Sequence, residues 1–146
     1  MKVSIRRAQL HEIHDIALFY RATSEREWPF LYPHTPQEDQ QLFRTAFDKG
    51  PLWLAEDSGG LVGFCAARRG WIDHLYVLHE RHGEGIGQAL LERALEGRIR
   101  VLLWTFQRNA RTRAFYRQQG FAEVMFTDGR ANEEMEPDVL LEWRKR

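Results

Sequence analysis

Apolar and polar positions alternate at Val3 and Ile5, so residues 2–7 read as a short strand. From His11 the spacing changes. Ile13, Ile16, Ala17 and Tyr20 recur at three- and four-residue intervals, which predicts a helix ending near Ser24. Residues 25–34 hold two prolines among Trp28, Phe30 and Tyr32, and this composition breaks a regular element. Thr35-Pro36-Gln37-Glu38 follows as a capping box with proline at the first helical position. Leu42, Phe43, Ala46 and Phe47 give the helix an apolar face, and Gly50-Pro51 stops it.

Strand patterns come next. Residues 52–56 and 61–68 flank the turn Asp57-Ser58-Gly59-Gly60, and Arg69-Gly70 leads into a third strand at 71–78. A glycine-rich segment precedes a helix carrying Ile86, Leu90, Leu91, Ala94 and Leu95 and closed at Gly97. The apolar run 101–106 predicts a strand buried on both faces. A helix over 110–119 ends at Gly120, and strands at 121–127 and 139–143 complete the chain around an acidic loop. Hairpins mixed with helical crossovers predict a single α/β domain over residues 1–146, with a mixed sheet flanked by helices.

Composition narrows the function. With 43% hydrophobic and 29% charged residues, the chain is not disordered or low-complexity. Lys plus Arg and Asp plus Glu are 21 each, so bulk charge does not drive nucleic-acid binding. One cysteine, Cys65, excludes an internal disulfide and a multi-cysteine zinc site; in its apolar strand it reads as a buried, inert thiol. The six histidines form no ligand-spaced pair with acidic support, so no metal is expected. No apolar run approaches the roughly 18 residues of a membrane span, and Met1–Arg7 lacks the apolar stretch of a signal peptide. The expectation is a cytoplasmic protein that works away from membranes.

The most informative segment is VLHERHGEGIGQALLERAL. Gly83, Gly85 and Gly87 lie between a strand and a helix. Glycine lets main-chain amides approach a phosphate, and a helix start adds unpaired N–H donors and the positive end of the dipole. The spacing is not that of a dinucleotide fold, because Gln88 or Leu90 falls where the third glycine is required. The Gly-Lys-Ser/Thr of a nucleotide P-loop is absent as well. What remains is His-x-x-Gly-x-Gly at His82, Gly85 and Gly87 after an apolar strand.

This pattern resembles the GCN5-related N-acetyltransferase (GNAT) superfamily, whose acetyl-CoA loop reads Gln/Arg-x-x-Gly-x-Gly/Ala. The strand Asp73-His74-Leu75-Tyr76-Val77 and the helix start Gly87-Gln88-Ala89-Leu90-Leu91 look alike too. A second block, Asn109 to Phe121, is similar to the family's Asn-x-x-Ala-x-x-(Leu/Phe)-Tyr-x-x-x-Gly-Phe helix. His82 in place of Gln or Arg, and Thr112 in place of Ala, are the departures.

The resemblance implies a central mixed, mostly antiparallel sheet of about seven strands flanked by about four helices. It implies an acetyl-CoA-dependent N-acetyltransferase acting on a primary amine of a small molecule or peptide, with no metal. His82, Gly83, Gly85, Ile86, Gly87 and Gln88 would receive the diphosphate. Main-chain groups of Leu75 and Val77 would hold the pantetheine arm in an opening between strands 71–78 and 101–106, and the Leu75 amide would hold the thioester oxygen. Tyr116 would protonate the leaving thiolate, since a phenol with pKa near ~10 is an acid at neutral pH. Asp73, on the same strand face as Leu75 and Val77, is a candidate base, with Glu25 and Glu27, in the irregular segment after the first helix, as further candidates; His74 faces the other way and reads as structural. Asn109 would contact the carrier's arm, cap the following helix, or both. Glu25, Glu27, Trp28, Phe30 and Tyr32 would line the acceptor wall.

Arg98, Arg100, Arg108, Arg111, Arg113 and Arg117 occur in a stretch without acids, while Asp128–Asp138 is acidic. The arginines read either as a solvated face or as an attraction for the carrier's phosphates, including the 3′-phosphate. The acidic loop reads as a solvated loop or as an attraction for a cationic acceptor. Two other readings compete: a catalytically silent acyl-CoA-binding module of the same fold, and an RNA-binding domain. The sequence leaves open the acceptor, the base and the oligomeric state, a homodimer included.

Overall fold

The computed structural model describes residues 2–27 and 34–146. Their contacts divide into two compact units. The first comprises residues 1–69 and 73–96, the second residues 70–72 and 97–146.

The first unit begins with β1 (Ser4–Arg7), a 3-10 turn at Leu10–Glu12 and α1 (Ile13–Glu27). It continues with α2 (Pro36–Lys49), β2 (Leu52–Asp57) and β3 (Gly60–Arg68). β4 (Trp71–Val77) gives it all but its first two residues, and a 3-10 turn at His79–Arg81 leads to α3 (Ile86–Leu95). The second unit holds β5 (Arg100–Phe106), α4 (Ala110–Gln118), β6 (Ala122–Phe126) and β7 (Asp138–Arg144). The strand order is β1-β2-β3-β4-β5-β7-β6 in a seven-stranded mixed sheet. β4 and β5 run parallel at Trp71↔Leu102, whereas β1–β2, β2–β3, β5–β7 and β6–β7 are antiparallel. The fold class and the seven strands and four α-helices agree with the sequence reading.

The local causes are those read from the pattern. The Thr35 hydroxyl accepts from the Glu38 amide at 3.1 Å and Glu38 accepts from the Thr35 amide at 2.9 Å, closing the capping box in front of Pro36. α1 and α2 bury Ile16, Ala17 and Phe43 against Leu52, Leu54, Phe64 and Ala66 of β2 and β3. On α3, Leu90, Leu91 and Ala94 are buried. Gly63 permits the close approach there: a Cβ would lie 2.9 Å from the Tyr76 carbonyl and 3.2 Å from Leu90 Cδ1. In the second unit the core comprises Val101, Leu103, Tyr116, Phe121, Val139 and Leu141.

Two expectations are corrected. α1 reaches Glu27, three residues past Ser24, because nothing between them stops a helix and the first breaker is Pro29. Glu25 and Glu27 are therefore helical and not part of an irregular segment. β5 is not buried on both faces: Val101 and Leu103 are buried, whereas Trp104 is 44% exposed. A continuous apolar run supplies side chains on both faces, but a second covering layer has to come from elsewhere in the chain.

Candidate functional site

The first unit carries the glycine segment. The strand before it is set by Leu78, whose amide donates to the Val62 carbonyl at 2.9 Å, and by the Tyr76 carbonyl, which lies against Gly63. Even-numbered residues at this end of β4 thus turn their main chain toward β3. By alternation, Leu75 and Val77 turn theirs away from it. The Val77 carbonyl on that side accepts from His82 Nε2 at 3.0 Å. A carbonyl only accepts, so Nε2 carries the proton. His82 also stacks at a tilt on His79, with ring centroids 5.3 Å apart.

After His82 the backbone enters the left-handed region at Gly83 (φ +87) and Gly85 (φ +82). A Cβ at either position would meet no described atom within 4 Å, so the main chain is open there. Glycine is required by the dihedral, not by crowding. Gly85 is the N-cap of α3; no side chain caps this end and its first turn holds no acid. The first bond back to the cap is Ala89 N–H to Gly85 O at 3.0 Å, which places the amides of Ile86, Gly87 and Gln88 in the first turn, where helix geometry supplies no intrahelical acceptor. The Gln88 side chain points along the helix to Glu92, at 3.1 Å. Main chain, dihedral and dipole together fit a diphosphate.

Asp73 and His74 face opposite ways, as the alternation predicts. The Asp73 carboxylate is exposed and receives the Arg68 Nε at 2.7 Å. The His74 ring packs among Tyr20, Phe43, Phe64 and Tyr76, and burial pushes its imidazole down to about 4, against a smaller upward pull from Asp73. It is neutral at physiological pH. Cys65 is buried, and burial pushes its thiol up to about 12, which keeps it an unreactive thiol. Glu25 lies on α1, 3.0 Å from Arg21, which also holds the buried Asp39 of α2 at 3.0 Å. Trp28, Phe30 and Tyr32 lie outside the described residues.

Sequence reasoning missed Asp57 and Arg81. Arg81 Nη1 lies 2.5 Å from Asp57 Oδ2, and its Nε donates to both Glu84 oxygens at 2.9 Å. The Arg81 guanidinium holds the Asp57 carboxyl below its ordinary value. The contact joins a turn residue to one 24 positions on, and no local spacing announces it.

The second unit carries the tyrosine helix. Tyr116 is 6% exposed and meets Phe115 and Phe121 edge-on, at 5.2 and 5.3 Å between ring centroids. Asn109 is the N-cap residue of α4 by position, but its side chain makes no capping hydrogen bond, so the helix-capping role is set aside. The arginine stretch is substantially neutralised. Glu123 takes Arg113 at 2.9 Å and Arg117 at 3.1 Å, Glu142 takes Arg100 at 2.5 Å, and Glu136 takes Arg108 at 3.6 Å. Among the described residues no cluster of three or more His, Cys, Asp or Glu is placed to hold a metal ion, and no helix is long and apolar enough to cross a membrane.

Comparison with known proteins decides the family. Residues 48–123 match the acetyltransferase (GNAT) domain family. The chain belongs to the GNAT family. An uncharacterized N-acetyltransferase of Archaeoglobus fulgidus is 31% identical over 135 residues, covering 80% of this chain and 91% of that protein. The peptidyl-lysine N-acetyltransferase YjaB of Salmonella typhimurium is 27% identical over 122 residues, covering 83% of this chain and 84% of its own. The crystal structure of the PaiA N-acetyltransferase of Thermoplasma acidophilum, a complex with coenzyme A, shares the fold. Its TM-score is 0.77 at 16% identity, over 99% of this chain and all of that one. This GNAT protein is an N-acetyltransferase, and the co-substrate of its family is acetyl-CoA. A catalytically silent module and an RNA-binding domain are not favoured.

Proposed function

We propose that the chain moves the acetyl group of acetyl-CoA to the side-chain amine of lysine in a peptide, with residues 82–88 receiving the diphosphate. The observation that carries the binding part is the pair of left-handed, open glycines at the uncapped start of α3. The lysine acceptor is supported by the likeness to YjaB, whose name specifies peptidyl lysine.

The chemistry assigns the remaining roles. A lysine ammonium has a pKa near ~10.4 and must lose a proton before it can attack. Asp73 is the candidate base, through water, because its exposed carboxylate sits two residues from Leu75. The neutral nitrogen then forms a bond to the thioester carbonyl carbon. The Leu75 amide stabilises the resulting oxyanion, and the Val77 amide holds the pantetheine arm; both turn away from β3. The C–S bond breaks as the carbonyl re-forms. Tyr116 gives its proton to the thiolate, and the proton lost by the amine restores the phenol through solvent. The products are an N-acetyl-lysine and coenzyme A. The Asn109 side chain, which makes no capping hydrogen bond, is assigned to the carrier's arm. We also place the protein in the cytoplasm, consistent with its single, buried, reduced cysteine.

The test is release of free thiol from acetyl-CoA across lysine peptides, free lysine, polyamines and peptides with a blocked lysine. Acetylation of the lysine peptides, located by mass spectrometry, is the expected result. Turnover only with polyamines or with peptide N-termini overturns the acceptor assignment.

A further inference from the structure

The glycine loop contains an acid where an anion is to bind. Glu84 lies between Gly83 and Gly85, and its carboxylate is about half exposed. Left to itself it would repel a diphosphate, because like charges a few ångströms apart near a surface repel one another. Arg81 answers this. Its Nε faces both Glu84 oxygens, at 2.9 Å each, and its other arm reaches Asp57 at 2.5 Å. Asp57 is in turn fixed at the end of β2. Its side chain is 4% exposed, and its Oδ1 accepts from the Gly59 amide at 2.7 Å within the β2–β3 turn. A chain of charge-assisted bonds therefore runs from a rigid hairpin turn into the middle of a loop whose glycines give it little stiffness of its own.

We infer that Arg81 is a positioning residue for acetyl-CoA: anchored by Asp57, it holds the glycine loop in its binding shape and cancels the charge of Glu84. The inference rests on the reading that residues 82–88 receive the diphosphate. It makes shape and charge separable. Asp57→Asn keeps the acceptor for Gly59 and loses the ionic anchor. Arg81→Gln loses both anchor and neutralisation. Glu84→Gln removes the charge that needs neutralising.

The experiment is calorimetric titration of the full chain with acetyl-CoA, together with KM and kcat for thiol release and a thermal melt for each variant. Arg81→Gln is expected to weaken acetyl-CoA binding about tenfold and to raise its KM alike, with kcat within about twofold. Asp57→Asn should weaken binding about threefold. Adding Glu84→Gln to Arg81→Gln should recover most of the loss, whereas a purely structural arginine would show no such rescue. Wild-type affinity in Arg81→Gln, or an equal loss in the single and double variants, overturns the inference. If Arg81→Gln does not fold, Arg81→Lys decides, since it keeps the charge and loses the two-carboxylate fork: weakened binding supports the brace, and unchanged binding overturns it. A wild-type chain that gives no heat with acetyl-CoA removes the loop reading and the brace together, whereas tight wild-type binding with indifferent variants removes the brace alone.

Discussion

The glycine segment of the first unit and the α4–β6 region of the second each carry a block of the family motif, yet they are built in different ways. In the glycine segment the groups we propose for binding are main-chain amides. Two left-handed dihedrals and a helix start aim them, and side chains enter only as a brace through Asp57, Arg81 and Glu84. In α4–β6 the side chains dominate: Tyr116 is packed among Phe115 and Phe121, and Glu123 gathers Arg113 and Arg117. A main-chain site depends on backbone conformation and tolerates most side-chain changes. A side-chain site depends on the identity of one group and on the packing that holds it. The first kind suits binding of a constant carrier, the second a proton transfer.

The comparison breaks most visibly at Tyr116. Tyr116→Phe keeps the ring in its aromatic niche and removes the proton, so kcat should fall about a hundredfold while acetyl-CoA KM stays within about twofold. Steady-state kinetics decides it: an unchanged kcat removes the acid role.

Next in size is a difference in acid sensitivity. The His74 imidazole of the first unit sits near 4 in the fold against an ordinary 6.5, mainly through burial. Below pH 6.5 the unfolded chain takes up a proton that the folded chain refuses until about pH 4. The stability that His74 contributes is therefore complete above 6.5 and is lost as pH falls toward 4, by roughly 2 kcal/mol after allowance for partial exposure. Glu12, held at about 2 chiefly by Arg6, adds a separate loss only below 4.5. Urea melts between pH 7 and 4 should show the decline in the wild type and a flatter profile in His74→Phe; matching slopes would mean that another group is responsible.

A smaller effect is expected at Gly85. Gly85→Ala puts a Cβ in open space but at φ +82, which costs about 1–2 kcal/mol if the loop keeps its shape. Acetyl-CoA affinity should fall by up to about tenfold with kcat at saturation little changed, the reverse of the Tyr116 pattern. Undiminished affinity by calorimetry would show that the dihedral is not needed for binding.

The smallest belongs to Glu123. Glu123→Gln strips two arginines of their partner and should cost about 1 kcal/mol, less at high salt. Chemical denaturation at low and high salt measures it; a loss that ignores salt would point to packing instead of charge.

Much of this was legible in the order of residues. The Thr35 capping box, the Asp57–Gly60 turn and the alternation of Asp73 and His74 all follow from local rules, and each is found in the fold. The glycine spacing at 82–87 and the Asn109–Phe121 block point to the family by themselves. What local pattern missed depended on distant partners. Trp104 read as buried and is not, because burial needs a covering layer that the strand itself cannot encode. The arginine stretch read as a solvated face or as an attraction for phosphates, and Glu123, Glu136 and Glu142 neutralise much of it from later in the chain.

The sequence by itself thus determined the element order and the helix starts, since these are set by dihedral preference and by hydrogen bonds within a few residues. Only the tertiary structure decided which charges are neutralised, that the Asn109 side chain makes no capping hydrogen bond, that Gly83 and Gly85 are the left-handed positions of the loop, and that Arg81 reaches back to Asp57. Such choices depend on which side chains are brought within about 3 Å by pairing of distant strands, and separation along the chain carries no information about that distance.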